Sequence, residues 1–189
     1  QGWRLTAAFA NQCDACISPS QHLAKILVED GGLTTPCHVF PNGINTQRYH
    51  DASAADSPIT KGPNDKFIIS VARLSPEKRQ QALVEALPHI PDENVKLVLV
   101  GGGPYEAELR ACAERLGVAE RVIFTGMQSS DAVAALLKQA DVFSLASYHF
   151  DNQPMTFLEA ASSGLPIVYC DERMTEGLTK KNAILTDGI

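Results

Sequence analysis

The 189-residue sequence has no stretch able to span a bilayer, since its longest apolar runs, such as that in "KLVLVGGG", fall well short of a membrane helix. Its opening, "QGWRLTAAFANQC", lacks the basic-then-apolar layout of a signal peptide, which leaves the cytoplasm as the default compartment. Positive charge is also in short supply. With 16 Lys and Arg against 22 Asp and Glu, the formal net charge is −6 and no basic stripe is visible, which argues against nucleic acid as a partner. Any anion that binds must be met locally. Cysteine is sparse, and its count of five, at positions 13, 16, 37, 112 and 170, suits reduced thiols rather than a disulfide framework. Cys13 and Cys16 form a C-x-x-C, and Cys37 precedes His38, so a redox pair or zinc site has to be weighed. Without a second C-x-x-C, "CDACISPS" reads as a helix end running into a short strand, where cysteine serves as a small apolar residue. No repeat of 20 to 50 residues is visible.

What is present is a core. Hydrophobic residues make up 44% of the chain and charged residues 20%, the balance of a folded domain rather than a disordered one. Short apolar runs alternate with longer period-3.6 segments, the rhythm of a parallel sheet covered by helices. "ACIS" predicts a strand, "SQHLAKILVEDGG" a helix capped by Ser20 and stopped by Gly31 and Gly32, and "HVF" a strand ending at "PNG". Residues 45–64 are polar and aperiodic, the pattern of a linker or surface excursion. Strands at "FIISVA", "VKLVLV", "VIFTG", "VFSLA", "PIVYC" and "AILT" then alternate with helices, the first of them from Pro76 to about Leu87. Six strands with right-handed crossovers predict an α/β fold, a mostly parallel Rossmann-like sheet with helices on both faces.

In such sheets ligands bind beyond the carboxyl ends of the strands, so the loops there carry the functional reading. The turn "GGGPYE" has glycines at 101, 102 and 103, but Glu106 stands where a dinucleotide fingerprint needs a third small residue. A tight strand-to-helix turn explains it at least as well, with close ligand approach to bare backbone as the other option. "RLSPEKR" places Arg73 at a strand end and Lys78 just beyond, two cations able to hold a diphosphate or simply a solvated basic pair. In "DNQPMTFLEAASSG", Pro154 suits the first turn of a helix and leaves the N–H groups of Met155, Thr156 and Phe157 available to an anion. Asp151 precedes that helix, and Glu159 lies inside it with its side chain leaning back toward the N-terminus. Carboxylates repel phosphate but accept well from vicinal hydroxyls, so two sugars flanking a diphosphate would explain both. An acid near the helix dipole plus an ordinary glutamate is the plainer alternative.

Taken together, "ISPSQHL", "FPNGINTQRY", "RLSPEK", "VGGGPYEAELRACAERLGVAERVIFTG", "ADVFSLAS" and "DNQPMTFLEAASSGLPIV" resemble the group-one retaining glycosyltransferases of the GT-B fold, the family-4-like enzymes. The match runs from Ile17 to Asp187 in the family's order and spacing. The resemblance implies that Asp151 and Glu159 are the acid pair of the donor-site motif, an acid, seven residues, then glutamate. Asp151 would face the donor sugar and Glu159 the nucleotide ribose; both count as catalytic candidates. It further implies that Arg73 and Lys78 bind the donor diphosphate, that Met155 and Thr156 supply backbone N–H groups to the distal phosphate, and that Met127 and Gln128 lie near the base. Two departures stand out: Asp151 occupies a position where Glu is usual, and "NQP" replaces "GFP" or "GLP". No D-x-D metal motif occurs, in keeping with a fold that meets the leaving diphosphate with cations and a helix end; no cofactor or metal is expected.

The same resemblance implies two segments: residues 1–44 as the tail of an N-terminal acceptor domain plus the "FPNG" hinge, and residues 45–189 as a nucleotide-sugar binding domain that stops before its final helices. The expected parent transfers a sugar, with a UDP-sugar as first expectation, to a glycan or lipid acceptor with retention, while the isolated chain has little or no activity. Its partners would be the donor and the rest of the acceptor domain, not nucleic acid. Cell-envelope or polysaccharide synthesis at the cytoplasmic face of the membrane, with peripheral association, is the family-level expectation. A non-catalytic nucleotide-sugar binding module and a GT-B-fold epimerase or phosphorylase are the alternatives; an epimerase would need carboxylates and histidines suited to proton transfer, and a phosphorylase a pyridoxal phosphate lysine. Neither constellation is evident, and His149, near Asp151, could touch the ligand, although a lone loop histidine is more often structural or exposed.

Overall fold

A computed structural model describes residues 2–149 and 151–187. The first elements are helix α1 (Gly2–Ala10), strand β1 (Cys16–Ser18), helix α2 (Gln21–Glu29) and strand β2 (Cys37–Val39). β1 and β2 pair in parallel with Cys16 opposite Cys37, and Ala7, Leu27 and Leu33 bury a small cluster of their own. Ser20 caps α2 as its sequence predicts, its hydroxyl accepting from the Leu23 N–H at 3.1 Å. All five cysteines are free thiols.

Then come α3 (Thr46–Asp51), β3 (Lys66–Val71), α4 (Gln80–Ala86), β4 (Val95–Val100), α5 (Glu106–Arg115) and β5 (Val122–Gly126). The chain continues through α6 (Ser130–Gln139), β6 (Val142–Leu145), α7 (Met155–Ser162), β7 (Ile167–Tyr169) and β8 (Ala183–Leu185). β3 to β8 form one sheet in the order β5-β4-β3-β6-β7-β8, every neighbour parallel. The order reverses direction between β3 and β6, which places a crevice between the loops that leave those two strands.

Alternation along β4 shows why its sequence is apolar without a polar face. Leu97 and Leu99 pack with Val84 of α4 and Leu109 of α5, while Val98 and Val100 join the cluster of α6 and α7. A strand buried on both sides must be apolar throughout. α7 is fixed by Phe157, which sits edge-on to Phe143 of β6 (ring centroids 5.9 Å apart) and to Tyr169 of β7 (5.8 Å). Fully burying such a ring stabilises by about 1.5–3 kcal/mol, enough to set the angle at which α7 aims its N-terminus.

Two segments depart from the pattern-based expectation. The helix expected from Pro76 is a single 3-10 turn, Pro76–Lys78, separated from α4 by Arg79 in the left-handed region at φ 52°. Lys78 therefore belongs to the loop rather than to α4. The polar stretch 45–64 contains α3, capped by the Asn45 side chain and anchored by buried Tyr49, and a 3-10 turn at Ala54–Asp56. A helix of six residues with one buried aromatic is too short to show a period.

Candidate functional site

The loop after β3 is held by backbone packing. A Cβ at Gly101 would lie 2.1 Å from the Ala72 carbonyl oxygen, and one at Gly103 would lie 2.1 Å from that of Leu74. The triple-glycine turn thus exists so that the loop carrying Arg73 can lie directly on it, which resolves its two readings in favour of packing. Leu74 N–H donates to the Gly102 carbonyl at 3.0 Å, and buried Gln80 donates through Nε2 to the Arg73 carbonyl at 2.8 Å. The Arg73 side chain itself is 66% exposed and forms an ion pair with Glu77 at 2.7 Å. Such an exposed pair holds its partners by no more than about 1 kcal/mol, so Arg73 can exchange partners cheaply.

Lys78 reaches across the crevice. Its Nζ lies 2.5 Å from Asp151 Oδ1, and the side chains are only 17% and 13% exposed. The second oxygen, Asp151 Oδ2, is buried with no hydrogen-bond partner among the described residues. Two residues on, Gln153 Oε1 accepts from the Asn42 N–H at 2.6 Å, tying the signature loop to the "FPNG" segment, while Gln153 Nε2 is buried without an acceptor among the described residues. Pro154 then opens α7, and its carbonyl accepts from the Phe157 N–H at 3.1 Å. That bond corrects the expectation of three available N–H groups: those of Met155 and Thr156 have no protein acceptor among the described residues, and that of Phe157 is used.

Glu159 is half-buried, and the groups beside its carboxyl are Tyr49 and Arg48 of α3. Burial raises its pKa above the ordinary carboxylate value, opposed by the Tyr49 phenol and the Arg48 charge. Burial and the facing carboxylate push the Tyr49 phenol up to about 12. Arg48 is in turn held by Asp131 at 3.1 Å. Met127 and Gln128 lie in the loop after β5: Met127 is 85% exposed with its side chain over Gly102, and Gln128 Nε2 donates to the Thr125 carbonyl at 2.7 Å.

Sequence reasoning gave no role to the loop after β7, yet it braces the site. Asp171 is fully buried, receives Arg173 Nε at 2.8 Å and Nη2 at 2.5 Å, and accepts from the His149 N–H at 2.7 Å. Burial alone would raise the Asp171 pKa; the Arg173 guanidinium and the backbone N–H groups of Arg173 and His149 outweigh it and hold the carboxyl below the usual range. His149 is thereby fixed at φ 57°, two residues before Asp151. Arg173 also reaches His22 at 3.4 Å, and Glu176 Oε1 accepts from the Gln21 N–H at 3.0 Å, so this loop touches the start of α2. An acid directly after an apolar strand was the available signal for Asp171; its arginine two residues on was not distinguishable from a surface charge.

The geometry thus brings Lys78 to Asp151 beside the open end of α7, places Arg73 on the same crevice loop as Lys78, and sets Glu159 against α3. Among the described residues, no group of three or more His, Cys, Asp or Glu is placed to hold a metal ion, and no helix is long and apolar enough to cross a membrane.

Comparison with known proteins gives this arrangement its family. The family model for glycosyl transferases group 1 matches residues 53–187, and that for glycosyltransferase family 4 matches residues 1–48. The chain is 31% identical over 173 residues to the alpha-monoglucosyldiacylglycerol synthase of Streptococcus pneumoniae, an alignment covering 87% of this chain and 39% of that protein. It is 35% identical over 148 residues to the GDP-mannose-dependent alpha-(1-6)-phosphatidylinositol monomannoside mannosyltransferase of Mycobacterium tuberculosis, covering 72% of this chain and 38% of the relative. It superposes on the crystal structure of Anabaena Alr3699/HepE in complex with UDP-glucose with a TM-score of 0.87 at 26% identity, covering 98% of this chain and 53% of that one. The chain therefore spans about two-fifths of the length of these curated relatives. With a parallel sheet of this order and a family match over most of its length, the chain belongs to the group-1 glycosyl transferases and shares their GT-B fold.

Proposed function

We propose that this chain is the donor-binding part of a glycosyltransferase that moves a sugar from a nucleotide-diphosphate donor to a glycan or lipid acceptor with retention of anomeric configuration. The observation that carries the reading is the meeting of Lys78 and Asp151 at the strand-order reversal, beside the N–H groups of Met155 and Thr156. A diphosphate at that helix end would draw Lys78 and Arg73 to itself and be met by backbone N–H groups and the helix dipole. Charge building on the leaving diphosphate would thus find fixed partners, which is where such a site gains rate. Asp151 would accept from a sugar hydroxyl, and Glu159, held by α3, from the ribose.

Residues 45–189 form the donor domain in this reading, and residues 1–44 the hinge and the adjoining part of the acceptor domain. The chain alone would bind donor without transferring it. A neighbour solved in complex with UDP-glucose and a relative named for GDP-mannose support a sugar nucleotide and leave UDP and GDP as the bases to test. Relatives named for lipid acceptors support work at a membrane surface, reached peripherally from the cytoplasmic side.

Calorimetric titration with UDP, GDP and ADP tests the reading. One nucleotide should bind, and Arg73→Ala and Glu159→Ala should each weaken it by about tenfold or more. A folded chain that binds none at millimolar concentration contradicts it. For the longer protein, the anomeric configuration of the product, read by NMR, tests retention.

A further inference from the structure

We propose that Cys16 and Cys37 form a modification site, a thiol pair that a small peptide disulfide such as oxidised glutathione joins reversibly across β1 and β2. The register of the strands carries the inference first. β1 and β2 are parallel with Cys16 opposite Cys37, and neighbouring strands run about 4.8 Å apart, inside the Cα separation of about 4.4–6.8 Å that a disulfide spans. The two side chains also share a face: both pack against the cluster of Ala7, Leu27 and Leu33, while Ile17 points the other way and is 71% exposed. The thiols meet within hydrogen-bonding reach, and burial, with the Cys16 neighbour, raises the Cys37 pKa, which keeps Cys37 a thiol at neutral pH. The pair is not sealed. Cys37 lines an open groove of about 710 Å³ with His22, Lys25 and Glu29 of α2, polar walls that suit a charged peptide disulfide.

The exchange balances without any other reactant. The Cys37 thiol loses its proton and attacks one sulfur of the oxidised glutathione, and the other half leaves as glutathione thiol, taking a proton. The Cys16 thiol then loses its proton and attacks the Cys37 sulfur of the mixed disulfide, releasing the second glutathione. Two electrons pass from the cysteine pair to the incoming disulfide, and two protons end on the released thiols. Side chains on paired parallel strands leave their Cβ atoms wider apart than the roughly 3.8 Å a disulfide prefers, so the bond draws the strands together and is open to reduction. It closes a loop around α2 and fixes β2, which runs directly into the "FPNG" segment that Asn42 ties to Gln153. Cys13, exposed and outside both strands, is the competing partner in sequence but is not opposite either thiol.

The test is to incubate the 189-residue chain with oxidised glutathione and map its disulfides by mass spectrometry after non-reducing trypsin digestion, since cleavage after Lys25 separates Cys37 from Cys13 and Cys16. The Cys16–Cys37 linkage should exceed every other pairing about tenfold in the folded chain, persist in Cys13→Ser, disappear in Cys16→Ser and Cys37→Ser, and be undone by excess reduced glutathione. Cys16→Ala and Cys37→Ala serve where a serine variant does not fold, as judged by circular dichroism. In urea the pairings should mix. A linkage lost in Cys13→Ser, a glutathione adduct that stays on Cys37 without passing to Cys16, or a chain that keeps all five thiols free overturns the proposal. A bond that excess reduced glutathione leaves intact overturns its reversibility.

Discussion

The loops that leave β4 and β5 solve a different problem from those that leave β3, β6 and β7. After β4, glycines let backbone lie on backbone: Gly101 and Gly103 accept the Ala72 and Leu74 carbonyls at distances no side chain permits. After β5, Gln128 closes on the Thr125 carbonyl. Buried side-chain atoms without a partner among the described residues cluster elsewhere, at Ser70 in β3, at Ser75 and Gln80 beyond it, at Ser147, Asp151 and Gln153 beyond β6, and at Glu176 beyond β7. None lies in the loops after β4 and β5 among the described residues. The first pair of loops is satisfied by its own chain and builds the scaffold; the second set is left chemically incomplete around the crevice where the strand order reverses. Folding alone gains nothing from unpaired buried polar groups, so their concentration at one end of one sheet marks where the chain meets something else.

The largest effect should come from breaking the pair that spans the crevice. Lys78→Met strands a mostly buried carboxylate and should cost about 3–5 kcal/mol in denaturant unfolding, together with loss of nucleotide binding. The double change Lys78→Met with Asp151→Asn should restore most of that stability but none of the binding. Stability and binding moving together in the double variant would contradict the division drawn above.

Next is Asp171→Asn, expected to cost about 1.5–3 kcal/mol at neutral pH by weakening the bonds from Arg173 and His149. The Asp171 carboxyl is depressed in the fold, so its contribution is present above the unfolded value near 3.9 and disappears as pH falls through the lower folded value. Melting curves of parent and variant should converge in acid; a constant gap down to pH 2 would contradict this.

Gly103→Ala addresses the scaffold side. The new methyl meets the Leu74 carbonyl oxygen, so a loss of about 1–3 kcal/mol is expected in thermal melts. Binding should change only by displacement of the Arg73 loop, less than for Lys78→Met.

The smallest effect, and the most telling in sign, is Glu159→Gln. Burial raises this carboxyl in the fold, so its ionisation opposes folding as pH rises from the unfolded value near 4.3 through the higher folded one. At pH 7.5 the variant should be as stable as the parent or up to about 1 kcal/mol more so, a rise of 2–4 °C in Tm, while binding nucleotide less well. A less stable variant that binds normally would remove Glu159 from the site.

Much of this was legible in residues. The six strands of the main sheet stood out because strands buried on both faces must be apolar and are punctuated by glycine and polar turns. The crevice was legible through Lys78, Asp151 and the Pro154 helix start, since each is a local signal. What could not be read was contact at a distance. The Asn42 bond to Gln153, the Tyr49 phenol against Glu159, and the brace from Asp171 to His149 join residues 111, 110 and 22 positions apart, and no periodicity encodes them. The 3-10 turn at Lys78 was missed because a proline and charged residues suit the first turn of an α-helix equally well, and only Arg79 in the left-handed region separates the two.

The central claim is that a donor diphosphate caps α7 in the crevice between the loops after β3 and β6. It is tested most directly by recording backbone amide resonances of the labelled chain while adding UDP or GDP. The account predicts saturable shifts largest at Met155 and Thr156, accompanied by residues of the two crevice loops and abolished in Lys78→Met/Asp151→Asn. Saturable binding that leaves the Met155 and Thr156 amides unmoved would contradict it.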